Sequence, residues 1–97
     1  MPDLPVVAVL VAKGGSEGTV RHALSVLVSP ARQEDGCLAY ELFESAAAPG
    51  TFVTVERWRA QADLDAHLQT AHVQQALVVA GEALAVPPVI HLLIPVS

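Results

Sequence analysis

Residues 37–58 read Cys37-Leu-Ala-Tyr-Glu-Leu-Phe-Glu44, then Ser45-Ala-Ala-Ala-Pro-Gly50, then Thr51-Phe-Val-Thr-Val-Glu-Arg-Trp58. Two β-prone runs flank a turn at Ala46 to Gly50, where Pro49-Gly50 interrupts regular structure, so the segment reads as a hairpin. Strand side chains alternate between faces. On the second strand Phe52, Thr54, Glu56 and Trp58 share one face, and Val53, Val55 and Arg57 share the other. On the first, Leu38, Tyr40 and Leu42 point one way, and Ala39, Glu41 and Phe43 the other.

Upstream, Leu4 to Ala12 is short, β-branched and nearly all apolar, and Gly14-Gly15 stops it. Such a run reads as a strand buried on both faces and central in its sheet. Val20, Ala23, Leu24, Leu27, Val28 and Ala31 then recur at helical spacing, with Ser16 as N-cap. Pro30 should kink that helix or end it early. After the hairpin a second helical region runs from Gln61 to Ala80, with a first apolar stripe of Leu64, His67, Leu68 and Ala71. Thr70 can act as an internal N-cap and divide it into two short helices, and Gly81 suits the C′ position. Pro87-Pro88 precedes a last strand, Val89 to Ile94, which contains His91. The order β-α-β-β-α-β defines an α+β, ferredoxin-like unit: an antiparallel sheet with two helices on one face. Residues 1–97 read as one domain of this kind.

Composition narrows the partners. Of 97 residues, 53% are apolar and 15% charged, against about 25% charged in an average soluble chain. A monomer of this mass should expose about 5,300 Å², which so few charges cover thinly. Part of the folded surface is therefore expected to be buried against a second copy, and the sheet face without helices is the natural place for it. Ten acidic residues face five basic ones, which disfavours nucleic acid. The longest apolar stretch, Val6 to Ala12, is far short of the roughly 20 residues that span a membrane. The N-terminus lacks the basic region of a signal peptide. Cys37 is alone, so no internal disulfide forms, and a reduced, cytoplasmic setting is the default.

Few residues are equipped for chemistry. His67 follows Asp63 at i, i+4, so that carboxylate could orient or charge the imidazole. His67 also lies in the apolar stripe and reads either as a base between helix and sheet or as a core histidine satisfied by one hydrogen bond. Glu56, beside Phe52 and Trp58, is either an ion-paired structural group, with Arg59 or Arg21, or a base. Trp58 either walls a pocket or fills core, and Tyr40 offers a hydroxyl to a ligand or packs with it at the solvent edge. His72 is five residues from His67, about 140° around one helix, whereas paired metal-binding histidines favour i, i+4; no metal site is expected. Lys13-Gly-Gly-Ser-Glu-Gly18 has its lysine ahead of the glycines, the wrong order for a phosphate loop, and reads as a turn. Cys37 reads as a small buried side chain.

Three strings, in order, carry a resemblance: Glu34-Asp-Gly-Cys-Leu-Ala-Tyr-Glu41, Val55-Glu-Arg-Trp58 and Leu64-Asp-Ala-His-Leu-Gln-Thr-Ala-His72. Together they resemble the antibiotic biosynthesis monooxygenase (ABM) domain family, and the last is most similar to its small quinol monooxygenase branch. The resemblance implies a ferredoxin-like subunit in a sheet-to-sheet homodimer, a dimeric α/β barrel. It also implies oxygenation of a quinol or polyphenol-like aromatic by O₂ without metal, flavin or other cofactor. Trp58 matches a tryptophan that lines the substrate cavity of oxygenating members. Polyketide-oxidising members carry Tyr and Asn where this chain has Leu64 and Thr54. The haem-degrading branch carries Asn, Trp and His where this chain has Val7, His67 and Leu77, so haem degradation is not expected.

Two functions follow. In the first, the chain is a cofactor-independent monooxygenase: His67 is the base, Asp63 or Glu56 orients it, and Trp58, Tyr40, Phe52 and His72 bind the substrate. In the second, it is a non-catalytic dimeric protein of the same fold that binds a small apolar ligand or serves as an accessory.

Overall fold

The structure, a computed structural model, describes residues 3–97. Seven elements follow one another: β1 (Leu4–Val11), α1 (Glu17–Arg32), β2 (Cys37–Glu44), β3 (Thr51–Trp58), α2 (Gln61–Leu68), α3 (Ala71–Gly81) and β4 (Val89–Leu92). The strands form one sheet in the order β2-β3-β1-β4, and each neighbouring pair is antiparallel. This is the ferredoxin-like arrangement expected from the sequence, with the second helical region divided at Thr70. The division has a local cause. The Thr70 hydroxyl donates to the His67 carbonyl at 2.7 Å and accepts the Val73 amide, so one side chain closes α2 and caps α3.

The hairpin register pairs Tyr40 with Glu56 and Leu42 with Thr54. A bulge between Cys37 and Ala39 adds one residue to β2, which leaves Leu38 57% exposed instead of inward with Tyr40. On β1 the even positions Val6, Ala8 and Leu10 are buried beneath the helices, while Val7, Val9 and Val11 are only half-buried. The strand is central, but within the chain only one of its faces is covered. The uncovered face continues across Val53, Val55 and Val89. It helps raise the accessible surface to 5827 Å², above the about 5,300 Å² usual for this mass.

Four local expectations need correction. Pro30 does not end α1 early: it sits inside the last turn, and the helix runs on to Arg32. Ser16 occupies the N-cap without a side-chain hydrogen bond; instead Glu17 reaches back to accept the Gly15 amide at 2.9 Å. Gly81 is the last residue of α3 with no positive φ, since the chain turns after it through Glu82. The last strand stops at Leu92, although the Leu93 amide still donates to the Pro5 carbonyl at 2.9 Å. No helix among the described residues is long and apolar enough to cross a membrane.

Candidate active site

Helices and sheet do not close completely on one another. A cavity of about 230 Å³ remains between them. Its walls are largely aliphatic, with Ala8 and Leu10 on the floor, Leu24 and Leu27 from α1, and Leu64, Leu68 and Val73 from α2 and α3. Four polar side chains enter it: Tyr40 from β2, Thr54 and Glu56 from β3, and His67 from α2. All four are buried. A mostly apolar hollow with a few converging polar groups is the usual form of a small-molecule site.

The period-2 alternation of β3 puts Thr54, Glu56 and Trp58 side by side. The Thr54 hydroxyl donates to Glu56 Oε2 at 2.6 Å, and the Trp58 indole N–H donates to Oε1 at 2.9 Å. Both oxygens of this buried carboxyl are thus satisfied from its own strand. No arginine reaches it: Arg59 pairs with Asp63 and Asp35, and Arg21 pairs with Glu44. Among the described residues no hydrogen bond joins Glu56 to His67.

Nor does one join Asp63 to His67. Its carboxylate takes two hydrogen bonds from Arg59, at 2.7 and 3.1 Å. The expected i, i+4 partnership with His67 fails because a guanidinium fork one turn back makes the better bidentate pair. The true partner of His67 is Glu34, in the loop between α1 and β2, whose Oε2 lies 2.6 Å from His67 Nδ1. A carboxylate only accepts, so Nδ1 carries the hydrogen, and the lone pair of the neutral ring sits on Nε2. The same Oε2 lies 2.7 Å from His72 Nε2. An offset of about 140° between the two histidines holds only on one continuous helix. The break at Gln69-Thr70 re-aims α3 and brings the two rings to centroids 6.3 Å apart.

Gly36 holds this loop in place. Its φ of +83° is the left-handed region, and any Cβ there would collide with the Asp63 side chain. Trp58 and Phe52 do not line the cavity. Trp58 is fully buried with its ring 4.7 Å from that of His67, centroid to centroid, so it packs against the imidazole. Phe52 packs in the aliphatic core with Leu10 and Leu24. His72 stands outside the cavity, 28% exposed at its side chain.

Two atoms remain free inside. Neither His67 Nε2 nor Tyr40 Oη has a hydrogen-bond partner among the described residues, and no sealed side-chain nitrogen or oxygen is without one. Both atoms therefore meet open space, and both side chains line the cavity. Burial, reinforced by the charges of Glu56 and Glu34, pushes the Tyr40 phenol well above its ordinary value, so it enters as an O–H donor. The hollow presents one lone pair and one hydroxyl, with rings 5.6 Å apart, to anything it encloses.

The family model described as antibiotic biosynthesis monooxygenase matches residues 4–78, from β1 into α3. A Mycobacterium tuberculosis protein named "Putative monooxygenase Rv0793" is 33% identical over 92 residues, 95% of this chain and 90% of that protein. The solved structure of Rv0793 superposes with a TM-score of 0.89 at 32% identity, covering 98% of this chain and 96% of that one. The crystal structure of PA3566 from Pseudomonas aeruginosa does so with a TM-score of 0.89 at 30% identity, covering 100% and 97%.

Proposed function

The chain belongs to the antibiotic biosynthesis monooxygenase family, and on that premise we propose that it oxygenates a small quinol or polyphenol-like aromatic with O₂, without a cofactor. The observation that carries this reading is a pair of polar atoms without a partner among the described residues, His67 Nε2 and Tyr40 Oη, on buried side chains that line a largely aliphatic cavity. At about 230 Å³ the cavity lies below the about 300–1,000 Å³ typical of drug-sized ligands, which favours a compact aromatic.

The chemistry needs little more. Triplet O₂ reacts slowly with closed-shell molecules, but a phenolate is electron-rich enough to give it one electron. His67 Nε2 takes the proton of the substrate hydroxyl, and Glu34, hydrogen-bonded to Nδ1, stabilises the charge that then forms on the ring. Tyr40 Oη donates to a second substrate oxygen. Superoxide and semiquinone recombine at carbon, and the peroxide collapses to a hydroxylated quinone. The balance is one quinol plus O₂ giving one hydroxyquinone plus water. The aliphatic walls exclude water from the radical pair.

Oxygen uptake with a panel of quinols, for wild type, His67→Ala and Tyr40→Phe, tests the proposal. A base of this kind contributes about 10²–10⁴-fold, so His67→Ala should lose at least 10²-fold. Uptake at background for every quinol, or an unaffected His67→Ala, sinks it. Tight quinol binding without turnover would favour the non-catalytic ligand-binding reading instead. We further propose that a second copy covers the valine-rich face of the sheet, giving a homodimer. The single half-buried thiol of Cys37 accords with a reducing, cytoplasmic setting.

A further inference from the structure

We propose that Glu34, His67 and His72 form a binding site for one divalent cation of the zinc class, and that filling it silences the cavity nitrogen of His67. Three elements deliver the ligands: the α1–β2 loop, remote in sequence from the other two, the end of α2 and the first turn of α3. One carboxylate oxygen and two ring nitrogens lie within 4.8 Å of one another. Side-chain exposure rises from 4% at His67 through 13% at Glu34 to 28% at His72, so the cluster is shielded within and open to solvent at one edge. The neighbouring guanidiniums are committed elsewhere, Arg59 to Asp63 and Asp35, and Arg32 to the Tyr40 carbonyl. Among the described residues, only the two imidazoles hydrogen-bond the Glu34 carboxylate.

Two imidazoles and a carboxylate are borderline ligands that suit zinc, with water completing the tetrahedron. Bonds of about 2.0–2.1 Å place tetrahedral ligand atoms about 3.3 Å apart. The carboxylate oxygen, now 2.6 and 2.7 Å from the two nitrogens, must withdraw a little from each. The two ring nitrogens, within 4.8 Å of one another, must close toward that spacing while Glu34, which lies in a loop outside helix and strand, swings out between them. The hydrogen-bonded triad is thus the closed, ion-free form of the same donor set.

The ion faces Nδ1 of His67, away from the cavity. By taking the Nδ1 lone pair it sends the ring hydrogen to Nε2. The cavity nitrogen changes from acceptor to N–H donor and can no longer receive a substrate proton. This second half rests on the reading of His67 as the base; the binding half does not.

The test is titration of chelator-stripped protein with Zn²⁺ by calorimetry and with Co²⁺ by visible absorption. Wild type should take up one ion per chain, with the intense visible bands of four-coordinate Co²⁺. Glu34→Gln and His72→Gln should each weaken binding by about 10²-fold or more, since even outer partners of a metal site are worth about 10–100-fold. His72 lies at the solvent edge, so His72→Gln keeps the fold measurable, and Zn²⁺ should raise the melting temperature of wild type but not of this variant. Absence of stoichiometric uptake, equal affinity in the variants, or the spectrum of hydrated Co²⁺ overturns the site. Quinol-dependent oxygen uptake should fall with the same Zn²⁺ midpoint as binding; binding without that fall overturns the silencing. If no quinol is turned over at all, the proposed function fails while calorimetry still decides the site.

Discussion

Replacing Trp58 with Phe removes one hydrogen bond to a buried carboxyl and little else. The indole N–H donates to Glu56 Oε1 at 2.9 Å, Trp58 is fully buried, and Glu56 is 6% exposed, so water cannot replace the lost donor. Hydrogen bonds to charged groups are worth about 1.5–3 kcal/mol. The smaller ring adds about 1 kcal/mol of lost packing. Trp58→Phe should therefore cost about 2.5–4 kcal/mol by urea unfolding at fixed protein concentration. For a chain of this size that lowers the melting temperature by about 10–30 °C. A double-mutant cycle isolates the bond. In a Glu56→Met background, where no acceptor remains, Trp58→Phe should cost only about 1 kcal/mol. Equal costs in the two backgrounds would refute the claim that β3 satisfies its own buried carboxyl.

Other consequences can be measured alongside. Asp63→Asn breaks only the pair with Arg59, which is exposed, so it should cost no more than about 1 kcal/mol and leave quinol-dependent uptake intact; a loss of uptake would return Asp63 to the site. Gly36→Ala must leave the left-handed region or displace Asp63, and should destabilise by more than about 1 kcal/mol in thermal unfolding. Burial, then the charges of Glu34 and Glu56, raise the Cys37 thiol. It should alkylate more slowly at pH 8 than the same thiol in urea. The sign for stability follows: its contribution is intact below the ordinary thiol range and is lost as pH climbs through the raised value. Sedimentation should give a dimer at micromolar concentration, and Val9→Lys on the open face should give a monomer.

The fold was legible because its signals are local. Period-2 alternation, Pro49-Gly50 and the Thr70 cap each act over a few residues, and the hairpin and the helix break follow from them. The bulge at Leu38 is not local, since it depends on how β2 meets β3, and so the inward set on β2 was read one residue too long. The site divides the same way. His67, Glu56 and Tyr40 stand out by burial pattern and are brought to one cavity. Thr54 shares the inward face of β3, and Glu56 takes its partners not from an arginine but from the hydroxyl and indole donors at i±2. Glu34 was invisible to spacing rules: 33 residues separate it from His67. Its signals were its place two residues before the glycine that ends the turn into β2 and its position at the head of the first family-like string.

The cavity draws its chemical atoms and its rim from different parts of the chain. Tyr40, Thr54, Glu56 and His67 are interior, whereas the exposed lining residues Leu77, Pro88 and Ile90 stand on α3, the loop after it and the edge strand β4. Pro88 and Ile90 lie past residue 78, where the family match ends. Substitutions at the entrance need not disturb the buried polar groups. A library confined to these three positions would search for new substrates at small risk to folding, and relatives alike in their buried polar groups would be expected to part company there first.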